Sequence, residues 1–119
     1  MGLDTSHNCW SGSYSGFGNW RETVASIVGI NLPGMVGFGG SIKWDSLEFR
    51  PVYVLLDHSD CDGEIATEHL IPLADDLDRI AEVLAEGECG TSGWKYRATV
   101  RFAAGCRDAA AAGEPVNFH

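Results

Sequence analysis

Apolar residues recur at helical spacing in three stretches of the chain. In the first stretch, residues 15–28, the spacing predicts a helix that ends at Gly29. The apolar face of this helix consists of Phe17, Trp20, Val24, Ile27 and Val28. In the second stretch, Pro72 suits a first helical position and Gly87 suits a terminus, so a helix is predicted between them. Its apolar face consists of Leu73, Leu77, Ile80, Ala81 and Leu84.

The third stretch predicts a helix from Thr91 or Ser92 to Ala112, ended by Gly113. The side chains predicted to face inward are Trp94, Ala98, Phe102 and Cys106. Runs of β-branched and aromatic residues predict strands at 52–56, 42–47 and 116–118, and the glycine-rich stretch 29–41 predicts a loop. We therefore expect an α+β fold: a compact single domain of residues 1–119, with three helices packed on a small sheet of short strands.

Composition excludes several classes of protein. The chain has 119 residues, 45% of them hydrophobic, and a formal net charge of −9. No apolar run reaches the ~18 residues of a membrane span. The first residues lack the basic and apolar segments of a secretory leader, so we expect a cytoplasmic protein. The negative charge disfavours general nucleic-acid binding, which requires phosphates to be neutralised by Lys and Arg. In a reducing compartment, the four cysteines at positions 9, 61, 89 and 106 are expected to be free thiols.

The negative charge is concentrated in one segment. Residues 57–88 hold eleven acidic residues and one basic residue, whereas the remainder holds six acidic and seven basic residues. Three of the acids are expected in the first turns of the second helix, where the helix dipole favours anions: Asp75, Asp76 and Asp78. In the third helix, Arg97 and Arg101 are four residues apart and share one face. They would either pair with the acidic helix and solvent, or form a site for a phosphate or carboxylate.

Two short polar motifs carry the residues with the most chemistry. Each pairs a histidine with a cysteine, His7 with Cys9 and His58 with Cys61. If the motifs meet in space, these four side chains would make a tetrahedral zinc site, the one cofactor that the sequence suggests. The spacing is not the double C-x₂-C of a zinc ribbon.

The second motif has two other interpretations. It follows a predicted strand, so His58 could act as a general base oriented by Asp60, with Cys61 or Ser59 as the nucleophile. Alternatively, the sequence Asp60-Cys-Asp62-Gly is a polar turn, in which the carboxylates bond to their own backbone.

At these motifs the chain resembles a group of small uncharacterised proteins of bacteria and their phages, which begin with an LDTSHDCWHG-like segment and carry an HSDCDGE motif. The counterparts are LDTSHNCWSG at 3–12, HSDCDGE at 58–64 and AAGEPVNFH at 111–119. This chain departs from the pattern at Asn8 and Ser11, where the group has Asp and His. The resemblance implies a small, phage-linked protein. Such proteins often act as counter-defence factors that bind a host component or a nucleotide signal.

Three hypotheses of function follow. In the first, a non-enzymatic protein captures a small polar, nucleotide-derived ligand. Its ligand-binding residues would be Asp4, Ser6, His7, Trp10, Tyr14, His58, Asp60, Asp62, Arg97 and Arg101. The second hypothesis is a metal-dependent or His/Asp hydrolase that uses the same motifs. The third is an acidic inhibitor of a host protein that presents segment 57–88 in imitation of a nucleic acid. The oligomeric state is left open.

Overall fold

A computed structural model describes residues 2–31, 34–35, 40–44, 50–56, 63–87 and 93–118. In chain order the elements are β1 (Gly2–Asp4), a 3-10 turn (Ser6–Asn8), β2 (Ser11–Ser13), α1 (Tyr14–Ile27), α2 (Tyr53–Leu56), β3 (Glu64–Ile65), α3 (Thr67–Ala85), α4 (Trp94–Ala112) and β4 (Val116–Asn117). Strands β1 and β2 pair antiparallel, as do β3 and β4. The α+β class and the three main helices are therefore confirmed, with the strands divided between two small sheets.

The core forms where α1, α3 and α4 pack together, and aromatic rings fill its centre. Trp20 of α1 is fully buried, and its ring stacks on Trp10 at 5.5 Å and on Phe102 of α4 at 5.2 Å between centroids. Its indole Nε1 donates a 2.9 Å hydrogen bond to Thr99 Oγ1, so the one polar atom of this ring is satisfied inside the core. The stack joins the N-terminal segment to α1 and α4.

The segment 52–56, predicted as a strand, is instead the short helix α2, and tertiary contacts explain the difference. The backbone N–H of Val52 donates to the Asp76 carboxylate at 3.1 Å, and Arg21 Nη1 donates to the carbonyls of Leu55 and Leu56 at 3.3 Å. A short helix has no internal partner for most of its terminal N–H and C=O groups. Here side chains from two distant helices supply those partners, which a local apolar run cannot indicate.

Helix α3 begins at Thr67, five residues before the predicted start, so Pro72 lies inside the helix. The predicted apolar face is correct, with Leu73, Leu77 and Ile80 buried. The earlier start places the acids at 75–78 in the middle of α3, so the prediction that they occupy its first turns is wrong. Of the other strands, the one at the C-terminus is confirmed as β4, while the one at 42–47 lies partly outside the described residues.

Among the described residues, no helix is both long enough and apolar enough to cross a membrane.

Candidate functional site

The N-terminal segment folds into a tight loop, residues 5–10, between β1 and β2. Thr5 closes this loop, because its N–H donates to the Trp10 carbonyl at 3.0 Å and its Oγ1 accepts from the Trp10 N–H at 2.9 Å. Inside the loop, His7 and Asn8 have positive φ angles of 59° and 56°. Two successive left-handed residues that are not glycine cost ~1–3 kcal/mol each, so the surrounding contacts must hold them in place.

Helix α4 supplies most of those contacts. A β-carbon on Gly105 would lie 2.5 Å from Cys9 Sγ and 2.8 Å from the His7 carbonyl oxygen, so the loop rests directly on the helix backbone. Arg101 Nε donates a 2.8 Å hydrogen bond to the carbonyl of Asn8. Beyond α4, Glu114 Oε1 lies 3.1 Å from His7 Nε2. The 5–10 loop is thus held against α4 and the residues that follow it.

A cleft of about 380 Å³ lies between the 5–10 loop and the first half of α4. Its lining residues are Cys9, Trp10, Ser11, Trp94, Arg97, Ala98 and Arg101. Three of them, Trp10, Arg97 and Arg101, belong to the ligand-binding set that the sequence predicts. The structure therefore brings the first polar motif and the basic face of the third helix together in one concave site.

The two arginines of the cleft differ from Arg107, which lies further along the same helix. Arg107, on the same helix, pairs with Asp75 at 2.8 Å and Asp78 at 2.7 Å, as the salt-bridge interpretation predicts. Within the described part of the chain, neither Arg97 nor Arg101 forms an ion pair with a carboxylate. No described carboxylate neutralises their charges, and the Arg101 side chain is already oriented by its bond to Asn8.

Two tryptophans provide the aromatic part of the cleft. Trp10 is 8% exposed and packs on the core, and its Nε1 donor is buried with no hydrogen-bond partner among the described residues. Trp94 is 46% exposed, which corrects the prediction that it faces inward. The spacing of 94, 97 and 101 places this ring on the same helix face as the two arginines, a signal that was present in the sequence. Cys9, Ser11 and Ala98 also line the cleft, although the predicted ligand-binding set does not contain them.

Three acids in the middle of α3, Asp75, Asp76 and Asp78, form ion pairs with arginines of the protein. Asp76 is 1% exposed and accepts hydrogen bonds from Arg50 Nε and Nη2 at 2.9–3.1 Å. Burial acts to raise the pKa of its carboxyl, but the bonds from Arg50 and from the Val52 N–H outweigh it and hold that pKa below the ordinary value. Asp75 and Asp78 both pair with Arg107, so each of the three acids has a basic partner within the protein, and the hypothesis of an acidic inhibitor stays a prediction.

Cys9 and Cys106 meet where the 5–10 loop contacts α4. Both are free thiols with no solvent exposure, and their side chains are hydrogen-bonded to each other. This hydrogen bond, together with burial, raises the pKa of the Cys106 thiol. The Cys106 thiol is therefore protonated at neutral pH.

The remaining predicted site residues divide into two groups. Asp4 accepts a 2.7 Å bond from Ser11 Oγ, Ser6 Oγ accepts from the Asn117 N–H at 2.9 Å, and Tyr14 is half-buried against the core. These residues, like His7, support the loop and do not line the cleft. The residues of the second motif, His58, Ser59, Asp60, Cys61 and Asp62, lie outside the described residues.

The zinc and hydrolase hypotheses therefore stay predictions. Within the residues that the structure describes, no group of three or more His, Cys, Asp or Glu side chains could hold a metal ion. His7 and Cys9, the described half of the proposed zinc set, are in contact with Glu114 and Cys106 respectively. No protein-family model, curated protein or solved structure matches this chain.

Proposed function

We propose that this protein binds a small anionic ligand that carries a flat ring, such as a nucleotide, in the cleft between the 5–10 loop and α4. One observation carries the proposal. Arg97 and Arg101 lie one helical turn apart in a concave site, and no carboxylate of the described residues neutralises them. The chain has a net charge of −9, which repels anions in general. Two adjacent arginines provide a local positive charge to which an anion can bind.

The chemistry of the two side chains suits a phosphate or a carboxylate. A guanidinium presents a planar set of donors that matches two oxygens of either group, and such charge-assisted bonds are about twice as strong as neutral ones. Arg101 uses only its Nε–H to bind the Asn8 carbonyl, so its Nη groups remain as donors for a ligand while the side chain is already held in place. Less conformational entropy is then lost when the ligand binds.

The tryptophans supply a surface for a ring. Half of Trp94 is exposed beside Arg97, and Lys95 Nζ lies 5.8 Å from the centroid of the Trp94 ring, which adds a third positive charge nearby. Stacking of a nucleobase on an aromatic side chain contributes ~1–3 kcal/mol. A ligand that joins a base to a phosphate would use both halves of the cleft, which agrees with the nucleotide-derived ligand expected from sequence.

Arg97→Ala is expected to weaken the binding of a nucleoside monophosphate by about 10-fold or more, because a hydrogen bond to a charged group contributes ~1.5–3 kcal/mol. Calorimetric titration of the purified protein with the four ribonucleoside monophosphates would measure this effect. Inorganic phosphate and the free nucleosides serve as partial ligands and are expected to bind more weakly than the joined molecule.

Arg107→Ala is the matched control, since it removes the same charge from the same helix but outside the cleft. Its affinity should equal that of the unchanged protein. Equal losses in both variants would show that only the net charge matters, and an absence of heat with every nucleotide would reject the proposal. Recovery of the ligand unchanged after incubation is expected for a binding protein, whereas a hydrolysed ligand would favour the hydrolase hypothesis.

The resemblance to phage-linked proteins supports a role in which capture is itself the activity. A protein that holds a nucleotide signal without converting it would lower the free concentration of that signal in the host. This counter-defence role depends on the ligand, so the titration above precedes any test in cells.

A further inference from the structure

The contact between Cys9 and Cys106 is a feature that ligand binding does not require. Cys9 belongs to the strained 5–10 loop and Cys106 to the buried face of α4, nearly the whole length of the chain apart. Their thiols are in hydrogen-bonding contact, and the neighbouring Gly105 allows the loop to approach. A β-carbon on that glycine would lie only 3.1 Å from the Cα of Cys9 and 2.5 Å from its sulfur. Two cysteines held this close are placed to form a covalent bond.

We propose that Cys9 and Cys106 form a redox-active dithiol, which closes to a disulfide when the protein meets a small disulfide oxidant such as oxidised glutathione. Cys9 lies on the 5–10 loop beside the cleft, so exchange begins at its sulfur once the loop has lifted from α4. The Cys9 thiolate attacks the oxidant, its S–S bond breaks, and one glutathione thiolate leaves. The Cys106 thiolate then attacks the Cys9 sulfur and releases the second glutathione. The two protons lost by the cysteines are taken up by the two glutathione thiolates.

The bond would fasten the 5–10 loop to α4. At present that loop is held by hydrogen bonds and by packing alone, and it contains two strained residues. A disulfide from residue 9 to residue 106 would close almost the entire chain into one loop. Because a longer closed loop removes more conformational entropy from the unfolded chain, its stabilising effect is expected to be large. Because both thiols are fully buried, the loop must lift from α4 before the oxidant can reach them. Oxidation is therefore slow in the native protein and fast once the loop has opened.

The test is oxidation of the full-length protein with glutathione disulfide, followed by alkylation of the remaining thiols in denaturant and peptide mass mapping. We expect Cys9 and Cys106 to lose their thiols and one cross-linked species to join the peptides that contain them. The thermal midpoint should rise by about 10 °C and return to its starting value after treatment with dithiothreitol.

Two variants separate this pair from the other cysteines. The double variant Cys61→Ser/Cys89→Ser retains the pair and should close to the same disulfide. Cys106→Ala removes the second thiol, so it should stop with one glutathione attached at Cys9. If Cys106→Ala fails to fold, the double variant and the map of the unchanged protein still decide the question. Cross-links that involve Cys61 or Cys89, or thiols at 9 and 106 that still alkylate after oxidation, would overturn the proposal.

Discussion

Gly105→Ala is expected to lower the free energy of unfolding by about 2 kcal/mol, even though alanine is the better helix former. The new methyl group would lie 2.8 Å from the carbonyl oxygen of His7 and 3.1 Å from the Cα of Cys9, both of them backbone atoms. Neither atom can move without shifting a loop that already holds two residues at positive φ. The ~1 kcal/mol gained in helix propensity is therefore outweighed by the loss of the contact between the loop and α4.

Gly18→Ala provides the matched control for this prediction. Gly18 also lies inside a helix, α1, and nothing stands within 4 Å of the position of its added β-carbon. This variant should stabilise the protein by ~0.5–1 kcal/mol, since only the propensity gain applies. Urea unfolding followed by tryptophan fluorescence measures both variants. If the Gly105→Ala variant were as much more stable as the Gly18→Ala variant, the result would contradict the contact between the 5–10 loop and α4.

Asp76→Asn is expected to destabilise the protein by about 3 kcal/mol. The change leaves Arg50 without its counter-ion and weakens the bond to the Val52 N–H, at a position where the side chain is 1% exposed. Removal of one partner from a buried ion pair typically costs ~3–5 kcal/mol, and the 37% exposure of Arg50 places this pair at the lower limit. Helix α2 should lose its order first, because its N-terminal partner is gone. Loss of that local order can be measured by amide hydrogen exchange at residues 53–56.

Asp78→Asn is the control, since Asp78 is 50% exposed and its partner Arg107 also pairs with Asp75. Exposed ion pairs contribute ~0–1 kcal/mol, so this variant should unfold at almost the same urea concentration as the unchanged protein. Comparable losses in the two variants would mean that Asp76 contributes no more than a surface acid.

The contribution of Asp76 should also depend on pH in a defined direction. Because the pKa of its carboxyl is lower in the folded state than its ordinary value of 3.8, the ionised form stabilises the fold at every pH above that value. This stability is lost as the pH falls through the folded-state pKa. The difference in unfolding free energy between the unchanged protein and Asp76→Asn should therefore be constant from neutral pH to about pH 4 and then shrink. Urea titrations across that range would show it, and a difference that did not shrink in acid would contradict the assignment.

The helices could be predicted because their signals are local. In α1, Phe17, Trp20 and Val24 recur with the helical period, and all three are buried as the spacing predicts. The shared face of Arg97 and Arg101 follows from the same period. Pro72 misled the prediction of the start of α3, because proline is commonest in the first turn of a helix but tertiary packing also admits it further inside. The burial of Leu70, two residues before the proline, shows that packing extends the helix backwards.

What the sequence determined by itself is the set of long helices, their apolar faces, the α+β class and the basic face of the third helix. Each depends on neighbours within one or two turns, and propensity and periodicity act over that distance. The tertiary structure alone decided that residues 53–56 are helical, that Asp76 is a buried partner of Arg50, and that Trp10 meets Arg97 and Arg101 in one cleft. These features require groups far apart in the chain to be brought into contact, and the packing of the helices against one another does that.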